Sequence, residues 1–410
     1  KKMPSLQQLG KKDSDRVGVK SANLAEMAVK GGVAVPKGFA VPFVEGAVDR
    51  GEVPVDDRPA APAVGAAHRV ADRVEEDGRR EEVVDRDVEE ALDLVGVKVY
   101  SDAKVGMDAG DICGTAPTGV MATRDIDQIL ALKPDCVVYM PESTDIDDVC
   151  RILESGANIV STRADFFNPE KMDPACRERV EQACSKGNAS LHCSGSSPGF
   201  ITEALPVVLL SLQRRLDLLT IEEFANCIDG CSEEMLLGIM GFGESLEGFA
   251  KRNHADRDVV FEHSLAVVAE AVGMPIERFE GHGEIALTTE PTLLHTTTIP
   301  AGTIGGQRYT LTGFCDGKPT FRFRCNWFVT TKLEPNWDLR DDGWRVTVQG
   351  DTPLDISISF PIPEDAAQRQ YVLPGLTAHR PINAIAAVCA AAPGIRTTAD
   401  LPQVIAHLGQ

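Results

Sequence analysis

The chain has 410 residues, is 43% hydrophobic and 25% charged, and carries a formal net charge of −21. That length suggests two or three domains around a real apolar core. The acidic excess, unbroken by any Lys/Arg-rich run, argues against a nucleic-acid surface and disfavours anionic membranes. No apolar stretch reaches the ~20 residues of a membrane span; the longest, Ala204 to Leu212, runs into Gln213-Arg214-Arg215 and reads as a core helix. Lys1 and Lys2 are followed by no apolar signal core, so no secretion signal is expected. Eleven cysteines, an odd number, lie scattered mostly inside apolar segments, and Cys227-x-x-x-Cys231 has no matching Cys or His pair. The expectation is free thiols in a reducing cytoplasm, with no metal.

In chain order, the first segment contains Leu9-Gly10-Lys11-Lys12-Asp13, Val17-Gly18-Val19-Lys20-Ser21 and Val35-Pro36-Lys37-Gly38-Phe39. These strings resemble the opening of the ATP-grasp domain of phosphoenolpyruvate synthases, in which Lys20 would stand at a helix start within reach of a nucleotide phosphate. Val19 replaces the second glycine of that pattern, and nothing downstream supplies the remainder of the fold. Residues 1–48 are therefore expected to form a small appendage. From Asp49 to Ala91 the chain uses only Asp, Glu, Arg, Gly, Val, Pro, Ala and His68. With so little large apolar surface, residues 49–92 read as a charged linker, or as a replaced segment of the kind GC-rich codons yield out of frame.

From Asp93 the pattern becomes regular. Leu94 to Tyr100 is a short apolar run of the buried parallel-strand type, Asp135 to Met140 reads as the next buried strand, and Ala157 to Thr162 and Ala189 to Cys193 read as further strands. Helices are expected between them: Asp125 to Leu132, a helix capped by Thr144 through Glu154, and one starting at Asp173-Pro174 with proline in the first turn. This alternation over residues 93–195 predicts an α/β, Rossmann-like nucleotide-binding domain. After Gly195 come helices Ile201 to Arg215 and Glu262 to Val272. Strand-like runs succeed them, Ile285 to Thr289, Tyr309 to Phe314, Thr320 to Val329, Arg345 to Val348 and Ile356 to Phe360, punctuated by Gly-Gly and Asp-Gly turns. Residues 196–380 are thus expected to be an α+β domain with a mainly antiparallel sheet. An apolar helix from Pro381 to Ala391 within 381–410 would return to the first domain.

Three strings carry a second resemblance: Val97-Lys98-Val99-Tyr100-Ser101-Asp102-Ala103-Lys104-Val105-Gly106-Met107-Asp108-Ala109-Gly110, then Ser194-Gly195-Ser196-Ser197-Pro198-Gly199-Phe200, then Asn383-Ala384-Ile385 with Ala392-Pro393-Gly394. They resemble dihydrodipicolinate-reductase-like proteins, whose characterised relatives include 2,4-diaminopentanoate dehydrogenases. The resemblance, from about residue 93 onward, implies a nicotinamide cofactor and interconversion of an amine with an imine or ketone. It also implies a Gly-x-Gly-x-x-Gly loop about thirty residues before Val97. Only Gly65 and Gly78 stand there, and the strand that should precede the loop at mid-sheet is missing as well, so the parallel sheet is expected to be incomplete.

Position in this scheme selects the candidate site residues. Ser101, closing the second strand, would read the adenosine ribose; with Lys104 it leans towards NADP rather than NAD, although Asp102 adjoins them. Met140, Pro141 and Thr162, after later strands, would border the nicotinamide. Ser196, Ser197 and Gly199 open a helix whose free amides could hold a substrate carboxylate, with Glu203 one turn in as a partner for a substrate ammonium. Arg380 suits a carboxylate fork beside Asn383, and His379 and Glu203 are the catalytic candidates. His282 and His295 titrate in the useful range, but each reads more simply as an ordinary sheet histidine. The expected protein is a homo-oligomeric NAD(P)-dependent oxidoreductase acting on a small amine or imine. The alternatives are a non-catalytic relative without its cofactor loop and an ATP-binding fragment.

Overall fold

The structure, a computed structural model, describes residues 37–43, 92–141, 143–250, 256–361, 363 and 366–406. The expected linker and the Lys20 motif lie outside these residues.

The first sheet has seven strands: β1 (Lys37–Phe43), β2 (Asp93–Val99), β3 (Ala122–Thr123), β4 (Cys136–Tyr139), β5 (Asn158–Ser161), β6 (Ser190–Cys193) and, from the far C-terminus, β16 (Gly394–Arg396). Their order is β3-β2-β1-β4-β5-β6-β16, and every pairing is parallel. This is the doubly wound order, with its switch point between β1 and β4. Lys37–Phe43, expected in an appendage, is the central strand. It pairs with β2 from Lys37↔Asp93 to Phe43↔Val99 and with β4 at Phe39↔Cys136 and Ala40↔Val137. The sheet is therefore not missing its middle. The residues after β1 in sequence are Val44-Glu45-Gly46-Ala47-Val48-Asp49, without the three spaced glycines of the expected loop.

Successive residues of a strand face opposite layers, and β4 shows it: Val138 joins one core with Val97, Val99 and Val160, while Val137 and Tyr139 join the other. The second layer is built by helices Ile146–Glu154 and Pro174–Gly187. The first is closed by Ile382, Ile385 and Val388 of helix Ala366–Cys389. That helix begins well before the expected Pro381. It continues through Pro374 and Pro381, each of which lacks a backbone N–H, so its buried apolar stripe outweighs two local breaks.

Asp173 caps its helix as expected, accepting from the Cys176 amide at 3.0 Å with Pro174 in the first turn. For the preceding helix the cap is Asp145, not Thr144: Asp145 Oδ1 accepts from the amides of Asp147 (2.9 Å) and Asp148 (3.2 Å), and Thr144 Oγ1 donates instead to Asp165. A carboxylate receives two orphan amides better than a hydroxyl can. Asp145→Ala is expected to lower stability by about 1 kcal/mol in urea denaturation at pH 7.

The second sheet comprises β7 (Leu216–Asn226), β8 (Arg278–Thr288), β11 (Ile304–Cys315), β12 (Lys318–Phe328), β13 (Leu333–Glu334), β14 (Gly343–Gly350) and β15 (Leu354–Ser359); β9 (Thr292–Leu293) and β10 (Thr298–Ile299) form a separate ribbon. The order is β13-β8-β11-β12-β7-β14-β15, antiparallel except for β7 with β12. Strand β7 stands where the sequence pattern predicts none. One face of the sheet buries Leu219, Ile221, Phe321, Phe323 and Val346 against Phe261, Leu265 and Val268 of helix Asp256–Ala271, with the Phe261 and Phe323 rings stacked at 4.0 Å. Among the described residues, no helix is long and apolar enough to cross a membrane, and no His/Cys/Asp/Glu cluster could hold a metal ion.

Candidate functional site

Strand β6 delivers the serine loop to the C-terminal edge of the parallel sheet, where ligands of open α/β folds collect. The Ser194 amide still pairs with the Ser161 carbonyl at 2.9 Å. The chain then departs from helical geometry at Ser197, Pro198 and Gly199 before turning into the helix that ends at Leu210. Gly199 has φ +123°, and a Cβ there would come within 2.9 Å of Ser194 Oγ. Gly199→Ala is expected to cost about 1–2 kcal/mol, read as a lowered thermal midpoint.

A cavity of about 350 Å³ opens between this loop, the end of β7 and helix Ala366–Cys389. Ser196 and Ser197 line it, together with Thr377, whose hydroxyl lies 2.7 Å from Ser196 Oγ. The Ser197 hydroxyl is buried without a hydrogen-bond partner and is free to donate to a group in the cavity. The opposite wall is aromatic, formed by Phe224, Phe261, Trp327, Trp344 and Phe360. In that wall stands Glu223. Its Oε1 accepts from Trp327 Nε1 at 3.0 Å and its Oε2 from Trp344 Nε1 at 3.2 Å. Two indoles therefore fix the carboxylate in position, and each oxygen keeps a lone pair for a cationic ligand. Glu223 comes directly after Glu222 on β7, and neighbouring strand residues point to opposite faces: Glu223 turns into the cleft, while Glu222 meets Arg324 and Arg345 on the other side.

Glu203, expected to meet the substrate, is fully buried and absent from the cleft wall. A chain of donors ends on it: the Gly199 amide donates to Thr202 Oγ1 (2.8 Å), which lies 2.6 Å from Ser264 Oγ, and Ser264 donates to Glu203 Oε1 at 2.7 Å. Thr398 donates to the other oxygen. Burial raises the Glu203 pKa to about 7, partly offset by the Ser264 and Thr398 hydrogen bonds and by the Arg380 charge. Arg380 also lies outside the cleft wall. Within the long helix, one turn beyond Thr377, it is half-buried, with Nε unpartnered and its charge felt by Glu203 and by buried His192. The serines and Arg380 thus do not share this cavity; the arginine belongs to the buried layer with Glu203.

After β2, Ser101 caps the turn Asp102–Lys104, its Oγ accepting from Ala103 N at 3.2 Å, while Asp102 pairs with Arg124. Lys104, the last residue of that turn, is half-buried. At the ends of β4 and β5, Met140 Sδ accepts from the Thr162 amide (3.2 Å) and hydroxyl (3.0 Å), and Pro141 is buried beside them. His379 is exposed on the long helix, its pKa lowered by partial burial, and Asn383 lies one turn beyond it, half-buried. His282 is exposed on β8, and exposed His295 donates Nε2–H to the Cys231 carbonyl at 2.9 Å; neither lines the cleft.

Sequence reasoning missed Glu223 because its partners lie about a hundred residues away. The signal that could have found it was the Glu222-Glu223 pair inside an otherwise apolar run, which assigns one acid to each face of a strand.

Residues 237–410 match the family of 2,4-diaminopentanoate dehydrogenase C-terminal domains. A Streptomyces virginiae protein named amine dehydrogenase is 27% identical over 337 residues, spanning 78% of this chain and 92% of that protein. The solved amine dehydrogenase from Mycobacterium smegmatis superposes with a TM-score of 0.63 at 20% identity, covering 77% of this chain and 90% of the other, a likeness of fold. None of these comparisons supports the ATP-grasp resemblance of the N-terminal residues.

Proposed function

We propose that this chain, whose residues 237–410 match the family of 2,4-diaminopentanoate dehydrogenase C-terminal domains, is an NAD(P)-dependent oxidoreductase that interconverts an amine with its imine or ketone. The observation that carries this reading is Glu223: a carboxylate clamped between two indole N–H groups in an aromatic cleft at the sheet's C-terminal edge. Such a carboxylate holds a substrate ammonium and is placed to take its proton, while the aromatic wall excludes water and strengthens the pairing. Ser196 and Ser197 present hydroxyls across the cleft to a second polar group of the substrate.

The residues present fit a dinucleotide at its two ends. Ser101 and Lys104, after β2, would read the adenosine ribose, and Met140, Pro141 and Thr162, after β4 and β5, would border the nicotinamide. The neutral Ser101 with Lys104 favours NADP, Arg124 being occupied by Asp102. A bound nicotinamide would supply the hydride donor or acceptor. We further propose a cytoplasmic homo-oligomer.

The absence of spaced glycines after β1 favours one competing reading, a relative that kept the fold without the chemistry. Titration with NADH and NADPH, monitored by nicotinamide fluorescence, separates the two. Saturable binding of either cofactor, with amine-dependent turnover, is expected; binding of neither overturns the oxidoreductase reading.

A further inference from the structure

On the polar face of the second sheet, away from helix Asp256–Ala271, lies a separate cavity of about 280 Å³. Its charged lining consists of four arginines, Arg308, Arg324, Arg340 and Arg345, and two acids, Glu222 and Asp338, with Asp355 and Glu284 outside the lining against Arg345 and Arg308. Strand register builds the cluster: Arg324 pairs with Glu222 across β12 and β7, Arg345 pairs with the same Glu222 across β14 and β7, and Arg308 pairs with Asn326 across β11 and β12.

The acids do not use up the guanidiniums of Arg308 and Arg324. Arg345 is satisfied by Asp355 at 2.8 and 2.9 Å. Arg324 reaches Glu222 with one terminal nitrogen at 3.3 Å and Thr310 with Nε at 3.1 Å. Arg308 lies half-buried, stacked 4.4 Å over Trp337, with Nε fixed on buried Asn326 at 2.6 Å. Its ion pair with Glu284 is long, at 4.0 Å. Burial lowers the Arg308 pKa; the Glu284 carboxylate opposes this, and the neighbouring Arg324 charge adds to it. Each of these half-buried cations has one acid contact and no close bidentate pair, which leaves guanidinium N–H groups for a further anion, and the two are already oriented by Asn326 and Thr310.

We propose that this cavity is a binding site for a small multivalent oxyanion. Guanidinium forks suit phosphate and carboxylate groups alike, and the volume fits a diphosphate or a tricarboxylate rather than a dinucleotide. The site is independent of the proposed oxidoreductase chemistry, although Phe224 borders both cavities.

The test is calorimetric titration of the full chain with inorganic pyrophosphate and, separately, with citrate at matched ionic strength. At least one probe is expected to bind saturably, and which one binds identifies the source chemistry. Arg324→Gln should weaken that binding at least tenfold. Asp338→Asn, which removes an opposing charge, should tighten it severalfold, a gain that misfolding cannot mimic. Absence of saturable binding for both probes, or binding unchanged in both variants, overturns the site.

Discussion

Glu223→Gln is expected to reduce kcat/KM for amine oxidation roughly tenfold to a hundredfold while leaving cofactor affinity unchanged. A charge-assisted hydrogen bond inside a site is worth about 1.5–3 kcal/mol, and about 1.4 kcal/mol corresponds to a factor of ten. Glutamine keeps the volume and accepts from one indole, but its NH2 group faces the other indole and it carries no charge for the ammonium. Steady-state kinetics with a saturating nicotinamide, beside a fluorescence titration of the cofactor, reads both quantities. Turnover of the amine at the parental rate would remove Glu223 from the site.

The second expectation concerns two buried groups that titrate in opposite senses. Glu203 has its pKa raised from 4.5 to about 7 by burial. Between those values the unfolded chain is ionised while the folded one is not, so its contribution is complete below pH 4.5 and is lost as pH rises through 7. His192 is fully buried; its Nδ1–H donates to the Arg396 carbonyl at 2.8 Å, and its Nε2 has no partner. Burial holds its pKa at about 4 against the ordinary 6.5, and the Arg380 charge adds to this. The unfolded chain takes up that proton first, so this contribution is complete above pH 6.5 and is lost as pH falls through 4.

Each effect amounts to about 3 kcal/mol, and over the shared window they nearly cancel. The parent should therefore show a flat stability profile between pH 4.5 and 6.5. Glu203→Gln should expose the histidine, with stability falling by about 3 kcal/mol from pH 6.5 to 4. His192→Gln should expose the acid, with stability falling as pH rises from 4.5 to 7. Urea denaturation across this range measures all three profiles; variants that parallel the parent would show that neither group titrates as described.

The sheet arrangement explains which parts of this protein were readable in advance. Strands β4, β5 and β6 have every residue or nearly every residue buried, and each is a short run centred on apolar residues, Val137-Val138, Ile159-Val160 and Leu191, a signal that needs no neighbours. Asp173-Pro174 marked a helix start because proline lacks only an amide that would be orphaned there. Strand β7 escaped notice because Glu222 and Glu223 interrupt its alternation, and because its two faces meet different environments, an aromatic cleft and a row of arginines.

By itself the sequence determined the alternation of strands and helices from residue 93, the later cluster of strands, and the serine loop at the junction, since each is encoded in a few adjacent residues. Only the tertiary structure decided that Lys37–Phe43 is the central strand, because its register is set against Cys136 and Val137 nearly a hundred residues away. The same holds for the acids. Glu203 and Glu223 are alike in sequence, yet one is buried on Ser264 and Thr398 and the other faces a cleft between Trp327 and Trp344. Burial and pairing across such distances fix what a carboxylate can do, and local periodicity does not encode them.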